Sequence, residues 1–497
     1  MGRVLFAHGH LLRFDRKQHA IGKPYPPLAT ITAAAHLRAR GHEVALYDPM
    51  LDEDVSGFDA ALRRFRPTLV AVYDDVFNWF TKMCLGRMRE AALQMVGQAR
   101  AAGARVAVAG HDAADAPEVY LRAGADYVLR GEPDLTLGEL AARLDGAETS
   151  QPAVDDIPGL VFRHLGLPRR TAPRALLKDL DQLPLPAWDL VDVARYRDFW
   201  RRRHGFFSLN VVTTRGCPYL CNWCAKPVYG NTYHTRSPEH VLAELRLLRE
   251  RYAPDHIWFC DDIFGLKARW LMPFAERAAA EGLATPFLCQ TRADLMTEEN
   301  VAALRRAGCR EAWLGVESGA QTVLDAMDKG ITVEQVRGAV SRLRAAGVRI
   351  GFFLQFGYPE EGWPEIGKTR HLLRELAPDD IGISVSYPLP GTRFHERVQA
   401  RLGDKRNWEE SDDLDPLFPG RFSRAFYRML SRTVHAEFRA RRGWHALREL
   451  ARDPRPDPDR LRRIRGLAEL PIWLAGQVRL VRLANVEAAA NSGNVLD

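Results

Sequence analysis

Short apolar runs alternate with stretches of helical periodicity along most of the chain. In residues 1–145 the runs are Val4–Ala7, Glu43–Tyr47, Thr68–Tyr73, Arg105–Ala109 and Tyr127–Leu129. Helical patterns such as Leu28–Arg40 and Met88–Ala101 lie between them, and Gly41, Gly103 and Gly124 stand where helices stop. Strand–helix alternation at this spacing predicts an α/β, doubly wound parallel sheet that binds ligands beyond the carboxyl ends of its strands. From 146 to 205 the pattern breaks, with Pro152, Pro158, Pro168, Pro173, Pro184 and Pro186 close together; this reads as a linker with some structure of its own.

Alternation resumes over 206–400. Six runs, Leu209–Thr213, His256–Cys260, Pro286–Gln290, Glu311–Val316, Arg349–Phe356 and Ile381–Tyr387, are separated by helical patterns. Six strand–helix units predict a partial (β/α)6 barrel with its chemistry at the carboxyl ends of the strands. Residues 401–497 read as a helical C-terminal region without a motif.

Composition narrows the class. Of 497 residues, 46% are hydrophobic and 27% charged, as in soluble globular proteins. No apolar run reaches the roughly 18 residues that span a bilayer, and the N-terminus has no signal-peptide pattern. The expectation is a cytoplasmic protein without a transmembrane segment. The formal charge is +7, and arginines crowd 439–442 and 460–465. No aromatic-interleaved basic stripe accompanies them, so the reading is a solvated helical surface, with no nucleic-acid partner. The apolar segment Leu470–Ala475 is read as packing on the body of the protein rather than touching a membrane.

Seven cysteines are an odd count, and three of them, Cys217, Cys221 and Cys224, form CxxxCxxC just after the first strand of the barrel. That argues against a disulfide framework. Three thiolates at this spacing can hold three corners of an iron–sulfur cube and leave the fourth iron open. A zinc site completed by His204 or His234 is the competing reading, but the paired CxxC spacing usual for zinc is absent. Cys84, Cys260, Cys289 and Cys309 read as buried small hydrophobes or incidental thiols.

Arg215-Gly216-Cys217-Pro218-Tyr219-Leu220-Cys221-Asn222-Trp223-Cys224 resembles the signature of radical S-adenosylmethionine (SAM) enzymes, including the aromatic residue before the third cysteine. The resemblance implies a 4Fe-4S cluster on Cys217, Cys221 and Cys224. Its open iron would chelate SAM, and its reduction would release a 5′-deoxyadenosyl radical. Residues at the neighbouring strand ends are then expected to contact SAM: Trp223, Asp261, Asp262, Arg292, Glu317 and Ser318. A doubly wound domain ahead of such a barrel is similar to the B12-binding branch of the family. The resemblance there assigns cobalamin to the sheet edge, with Tyr73, Asp74, Gly110, His111, Gly131 and Glu132 as contacts. A histidine ligand to cobalt is not expected, because Lys17 stands where the aspartate of a DxHxxG pattern would precede His19.

The resemblance implies a cobalamin-dependent methyltransferase acting on an unactivated carbon. The alternative is an anaerobic cyclase-type enzyme without methyl transfer. Both readings carry a small-molecule substrate of unknown class and an electron donor such as flavodoxin or ferredoxin. Remote alternatives are a zinc-bound interaction protein and an NTPase, the latter because Gly362–Thr369 matches GxxxxGK[ST]. Pro364 and the helical spacing of Ile366, Leu373 and Leu376 argue that this stretch is a helix rather than a phosphate loop.

Overall fold

Each of the five apolar runs in the first region is a strand: β1 (Arg3–Ala7), β2 (Glu43–Tyr47), β3 (Leu69–Tyr73), β4 (Arg105–Ala109) and β5 (Tyr127–Leu129). The computed structural model describes residues 2–77, 85–146, 153–226, 228–404, 407–409, 414–455 and 457–493; Cys84 lies outside them. The five strands are parallel in the order β2-β1-β3-β4-β5. Strand order reverses between β1 and β3, which opens a crevice at their carboxyl ends.

The segment read as a linker is more than that. It supplies β6 (Leu160–His164), which extends the first sheet antiparallel to β5, and β7 (Leu167–Arg170), which pairs antiparallel with β6 at the edge. Leu160, Val161 and Phe162 are buried against the sheet while Arg163 and His164 face solvent. Prolines on either side of so short a run hid its strand character. The rest of the segment wedges the two domains together. Trp188 donates its indole N–H to Glu244, Trp200 donates to the Pro24 carbonyl, and Tyr196 donates to Asp48. All three rings are buried, as indole and phenol groups are when their polar end finds a partner.

The barrel opens with β8 (Ser208–Val211). A short antiparallel pair follows, β9 (Thr214–Arg215) and β10 (His234–Thr235). Then come β11 (His256–Phe259), β12 (Phe287–Thr291), β13 (Cys309–Glu317), β14 (Arg349–Phe356) and β15 (Asp380–Val385). Strands β8 and β11 to β15 form a six-stranded, all-parallel sheet in sequential order. It is the expected open half-barrel. The helix Leu28–Ala39 is apolar on every side and buried from Leu28 to Leu37, the pattern of a helix between two layers. Its Leu28 and Ile31 share one core with Leu209, Val211 and Trp188, so the two sheets do not have separate interiors.

Three C-terminal helices, Arg424–Arg452, Pro458–Ile464 and Leu470–Gly493, close the far side. Glu437 fixes the first of them by accepting from Arg370 and Arg374 of the helix Trp363–Leu376. That last helix settles the GxxxxGK[ST] match. Gly362 caps it, Glu365 accepts from the Gly362 N–H, and Gly367, Lys368 and Thr369 lie inside it. Their N–H groups are therefore committed to helical bonds and cannot cradle a phosphate.

Candidate functional site

The cysteine loop is held at both ends by the β9–β10 pair, in which Arg215 faces His234 and Thr214 faces Thr235. Gly216 has φ +82°, and a Cβ there would meet the Thr232 carbonyl oxygen at 2.5 Å, so only glycine makes this turn. Cys217 is buried and Cys221 and Cys224 are half-buried, and among the described residues no cysteine is in a disulfide. Among the described residues no three His, Cys, Asp or Glu side chains group as ligands of a single metal ion. His204, one candidate zinc ligand, instead lies against the Gly22 carbonyl, with Nε2 2.6 Å from that oxygen.

Asn222, between the second and third cysteines, pins the loop from within. Its amide donates to the Ala326 carbonyl at 2.7 Å and to Asp328 at 3.0 Å, and its oxygen accepts from the Tyr358 hydroxyl at 2.7 Å. Its backbone N–H and C=O are also bonded, to Met327 and Phe394. Asn222→Ala strips partners from buried groups, and we expect a stability loss of about 1–3 kcal/mol. It should also release cluster iron faster to a chelator; thermal melts and chelator-challenge kinetics measure the two effects.

Of the residues expected to contact SAM, Arg292, Glu317 and Trp223 gather around Lys329. Arg292 stacks its guanidinium 3.6 Å from the centre of the Tyr219 ring, pairs with Asp294 at 2.9 Å and donates to the Lys329 and Gly330 carbonyls. Glu317 ends β13 past a register shift, at φ +59°, and accepts from Lys329 at 2.7 Å. Lys329 is buried, with its ammonium 5.9 Å from the centre of the Trp223 ring. No spacing in the sequence marked it as part of the site. The buried indole N–H of Trp223 has no partner among the described residues. Ser318 is fully buried and bonded to Thr369, which makes it a brace between the end of β13 and the helix Trp363–Leu376.

Asp261 was also expected to contact SAM. Its oxygens are already taken: they accept from the N–H and the hydroxyl of both Thr213 and Thr214 at 2.6–3.0 Å. It therefore braces the chain just before the cysteine loop, and burial lifts its carboxyl to about 6. Asp262 beside it lines the crevice.

That crevice, a narrow cleft of about 20 Å³, lies between the two sheets. Val76, Phe77 and His111 line it from the carboxyl edge of the first sheet, and Thr214, Gly216 and Asp262 from that of the barrel. Phe77 stacks on Tyr229 of the cysteine-loop segment, with ring centres 5.9 Å apart. Of the residues assigned to cobalamin, His111 lines the crevice with Nε2 3.1 Å from the Val76 carbonyl oxygen. Asp74 accepts from the Gly9 N–H at 3.2 Å, and burial raises it to about 6. Gly110, at φ +144°, leaves no room for a Cβ because Asp74 lies 2.9 Å away. Gly131 has open space beside it.

Two of the assigned residues do something else. Tyr73 packs in the core of the first domain against Phe6 and does not reach the crevice. Glu132 accepts from Arg215, as does Asp134, whose distance to Arg215 is 2.7 Å. All three side chains are buried. The residue that opens the cysteine loop is thereby locked to the edge of the first sheet.

Glu361, at the turn after β14, is buried with one oxygen on the Gly357 N–H at 2.7 Å and the other without a partner among the described residues. Burial raises its carboxyl to about 8 from an ordinary 4.5. A raised acid adds stability below its unfolded pKa and loses it as pH climbs through the folded one. Stability should therefore decline between pH 4.5 and 8. Glu361→Gln should flatten that decline and gain about 1–2 kcal/mol at its upper end, read from denaturant melts across pH.

The sequence pattern of the radical SAM superfamily matches residues 211–373, from the last residue of β8 through the cysteine loop and β14. An uncharacterized methyltransferase of Pyrococcus horikoshii is 28% identical over 407 residues, 80% of this chain and 84% of that protein. The hopanoid C-3 methylase of Methylococcus capsulatus is 26% identical over 435 residues, covering 85% and 78%. Among solved structures, the cobalamin-dependent S-adenosylmethionine radical enzyme OxsB, holding aqua-cobalamin and S-adenosylmethionine, superposes with a TM-score of 0.69 at 18% identity, over 100% of this chain and 82% of that one. This shows a shared fold along the whole chain. Residues 211–373, the part of the half-barrel that carries Cys217, Cys221 and Cys224, match the radical SAM superfamily, and that stretch is a radical SAM domain.

Proposed function

We propose that the chain is a cobalamin-dependent radical SAM methyltransferase that acts on an unactivated carbon of a small molecule. The observation that carries this reading is the crevice in which the carboxyl edge of a doubly wound sheet faces the cysteine loop of the barrel. The relatives named as methyltransferases support methyl transfer over ring closure.

The residues present fit the groups this reading needs. Cys217, Cys221 and Cys224 would hold three irons of a 4Fe-4S cluster. The unpartnered Trp223 indole N–H is a donor a ligand would complete, and Lys329 supplies positive charge beneath the loop. On the barrel strands and their ends, Asn210, Gln355 and Ser386 each bury a side-chain oxygen without a partner among the described residues, which suits a polar substrate or its waters. On the facing edge, His111, Asp74, Gly110 and Gly131 would border cobalamin.

When bound, the cluster and SAM supply a hydrogen-abstracting radical and cobalamin supplies the methyl group. The chain's own contribution is position and dryness. Arg215 ties the cysteine loop to the opposite edge through Glu132 and Asp134, so the two sides cannot drift apart. Val76, Val212 and Val228 line the gap and exclude water, which would quench a carbon radical. In this reading the reductant is a flavodoxin or ferredoxin, and the reaction is cytoplasmic.

The test is anaerobic reconstitution with iron, sulfide and cobalamin, followed by turnover with methyl-labelled SAM. S-adenosylhomocysteine, 5′-deoxyadenosine and label on cobalamin are the expected products. 5′-Deoxyadenosine with no S-adenosylhomocysteine would move the chain to the cyclase-type reading.

A further inference from the structure

Large apolar side chains that face solvent are concentrated in one part of the molecule. Of the eleven such residues among the described ones, seven lie between Trp444 and Val481, on the last three helices. Four of them, Leu470, Leu474, Val478 and Val481, recur at helical spacing on one face of the helix Leu470–Gly493. Leu474 is 56% exposed and Val478 54%. The adjoining face of the same helix is occupied: Leu480 and Ala484 are buried in the main core. The helix is therefore packed on one face and exposes an apolar stripe beside it, an arrangement that solvation alone does not explain.

Arginine predominates around this face. Arg479 and Arg482 flank the stripe, and Arg448, Arg452, Arg462 and Arg465 lie on the adjoining helices. All six are exposed, and none makes an ion pair among the described residues. Most carboxylates nearby are spent on other arginines: Glu449 on Arg463, Asp453 on Arg455, Asp457 on Arg460 and Glu469 on Arg439, with Asp459 the exception. Trp444 is 49% exposed with the Arg448 guanidinium 5.3 Å over its ring. Leu447 and Leu461 are also exposed on these helices. An indole beside arginine is the pairing that settles at the headgroup level of a bilayer.

We propose that the three C-terminal helices dock this enzyme on the surface of an anionic lipid bilayer. The stripe Leu470, Leu474, Val478 and Val481 enters the acyl boundary, and the unpaired arginines meet lipid phosphates. Docking is peripheral, because no helix among the described residues is long and apolar enough to cross a membrane. A second copy of the chain is a poor occupant: a two-fold contact on this face brings unpaired arginines against one another. A nucleic acid satisfies the arginines but leaves the apolar stripe in water.

The test is flotation of the full, anaerobically purified chain with vesicles of phosphatidylcholine alone or enriched in phosphatidylglycerol. Binding to the anionic vesicles only, weakened by salt, is expected. Leu474→Glu with Val478→Glu, and separately Arg479→Glu with Arg482→Glu, should each lower vesicle affinity roughly tenfold or more. Both pairs are exposed, so thermal melts should match the parent. Absence of flotation with anionic vesicles overturns the proposal, as does flotation that neither pair of substitutions changes. So does a dimer in sedimentation that Leu474→Glu with Val478→Glu disperses without lipid. Binding to duplex DNA in place of vesicles, unaffected by Leu474→Glu with Val478→Glu, assigns the face to a polyanion instead.

Discussion

Alanine at Cys217, Cys221 or Cys224 should remove the iron–sulfur chromophore and abolish 5′-deoxyadenosine formation. A cube held at three corners has no spare protein ligand, so losing one thiolate frees an iron and the cluster falls apart. Even outer-shell changes at metal sites cost about 10–100-fold in affinity or activity; removal of a ligand should exceed the upper figure. The loop itself should survive, because Asn222 and the β9–β10 pair hold it independently of the sulfurs. Iron and sulfide content, the visible spectrum and product analysis by chromatography measure the effect. Cys289→Ala is the control. Cys289 is buried in β12 and lies outside the loop, so the variant should keep its iron and lose only packing. A Cys221→Ala protein with full iron content would sink the cluster assignment.

Arg215→Ala should be the most damaging change that touches no cofactor. It leaves Glu132 and Asp134 buried, side by side, without their cation. Breaking a buried ion pair from one side costs about 3–5 kcal/mol, because the remaining charge can be neither solvated nor paired. Burial already pushes the Glu132 carboxyl up, with Arg215 opposing that rise. Without Arg215 the carboxyl should move further up, and the variant should be most unstable at alkaline pH. Denaturant melts across pH read both effects.

Arg215→Met combined with Glu132→Gln and Asp134→Asn separates stability from function. Neutral side chains of similar size remove the stranded charges, so stability should return to within about 1–2 kcal/mol of the parent. Activity should not return. Arg215 is the residue before Gly216 and Cys217, and its bridge fixes the loop against the edge of the first sheet. Recovery of both would reduce Arg215 to a stabilising role alone.

Much of this architecture was legible in advance. The five strands of the first sheet and the six of the barrel fall on the apolar runs to within a few residues, because burial on a sheet imposes a local pattern. The cysteine loop was legible for a similar reason: three ligands within eight residues carry their geometry in their spacing. Strands β6 and β7 were not legible. They are short, proline-flanked and solvent-facing at one end, and only the edge of β5 makes them strands.

The site residues divide the same way. Arg292, Glu317 and Asp262 were placed at strand ends, and they are there. Asp261 and Glu132 were placed there too, but their partners, Thr213 and Thr214 for one and Arg215 for the other, give them structural work. Lys329 and Asn222 carried no signal, since a lysine after a short helix and an asparagine between cysteines are ordinary in isolation.

What the sequence determined by itself is the set of local rules: strand–helix alternation, the thiolate spacing and the absence of a phosphate loop inside a helix. Each depends on residues within a turn or a strand of one another. The tertiary structure decided the pairings that span the chain. Arg215 meets Glu132 from 83 residues away, Asn222 meets Tyr358 from 136, and the stripe on the last helix is left uncovered. Those outcomes depend on which surfaces come together when the two sheets close on a shared core, and no local pattern encodes that.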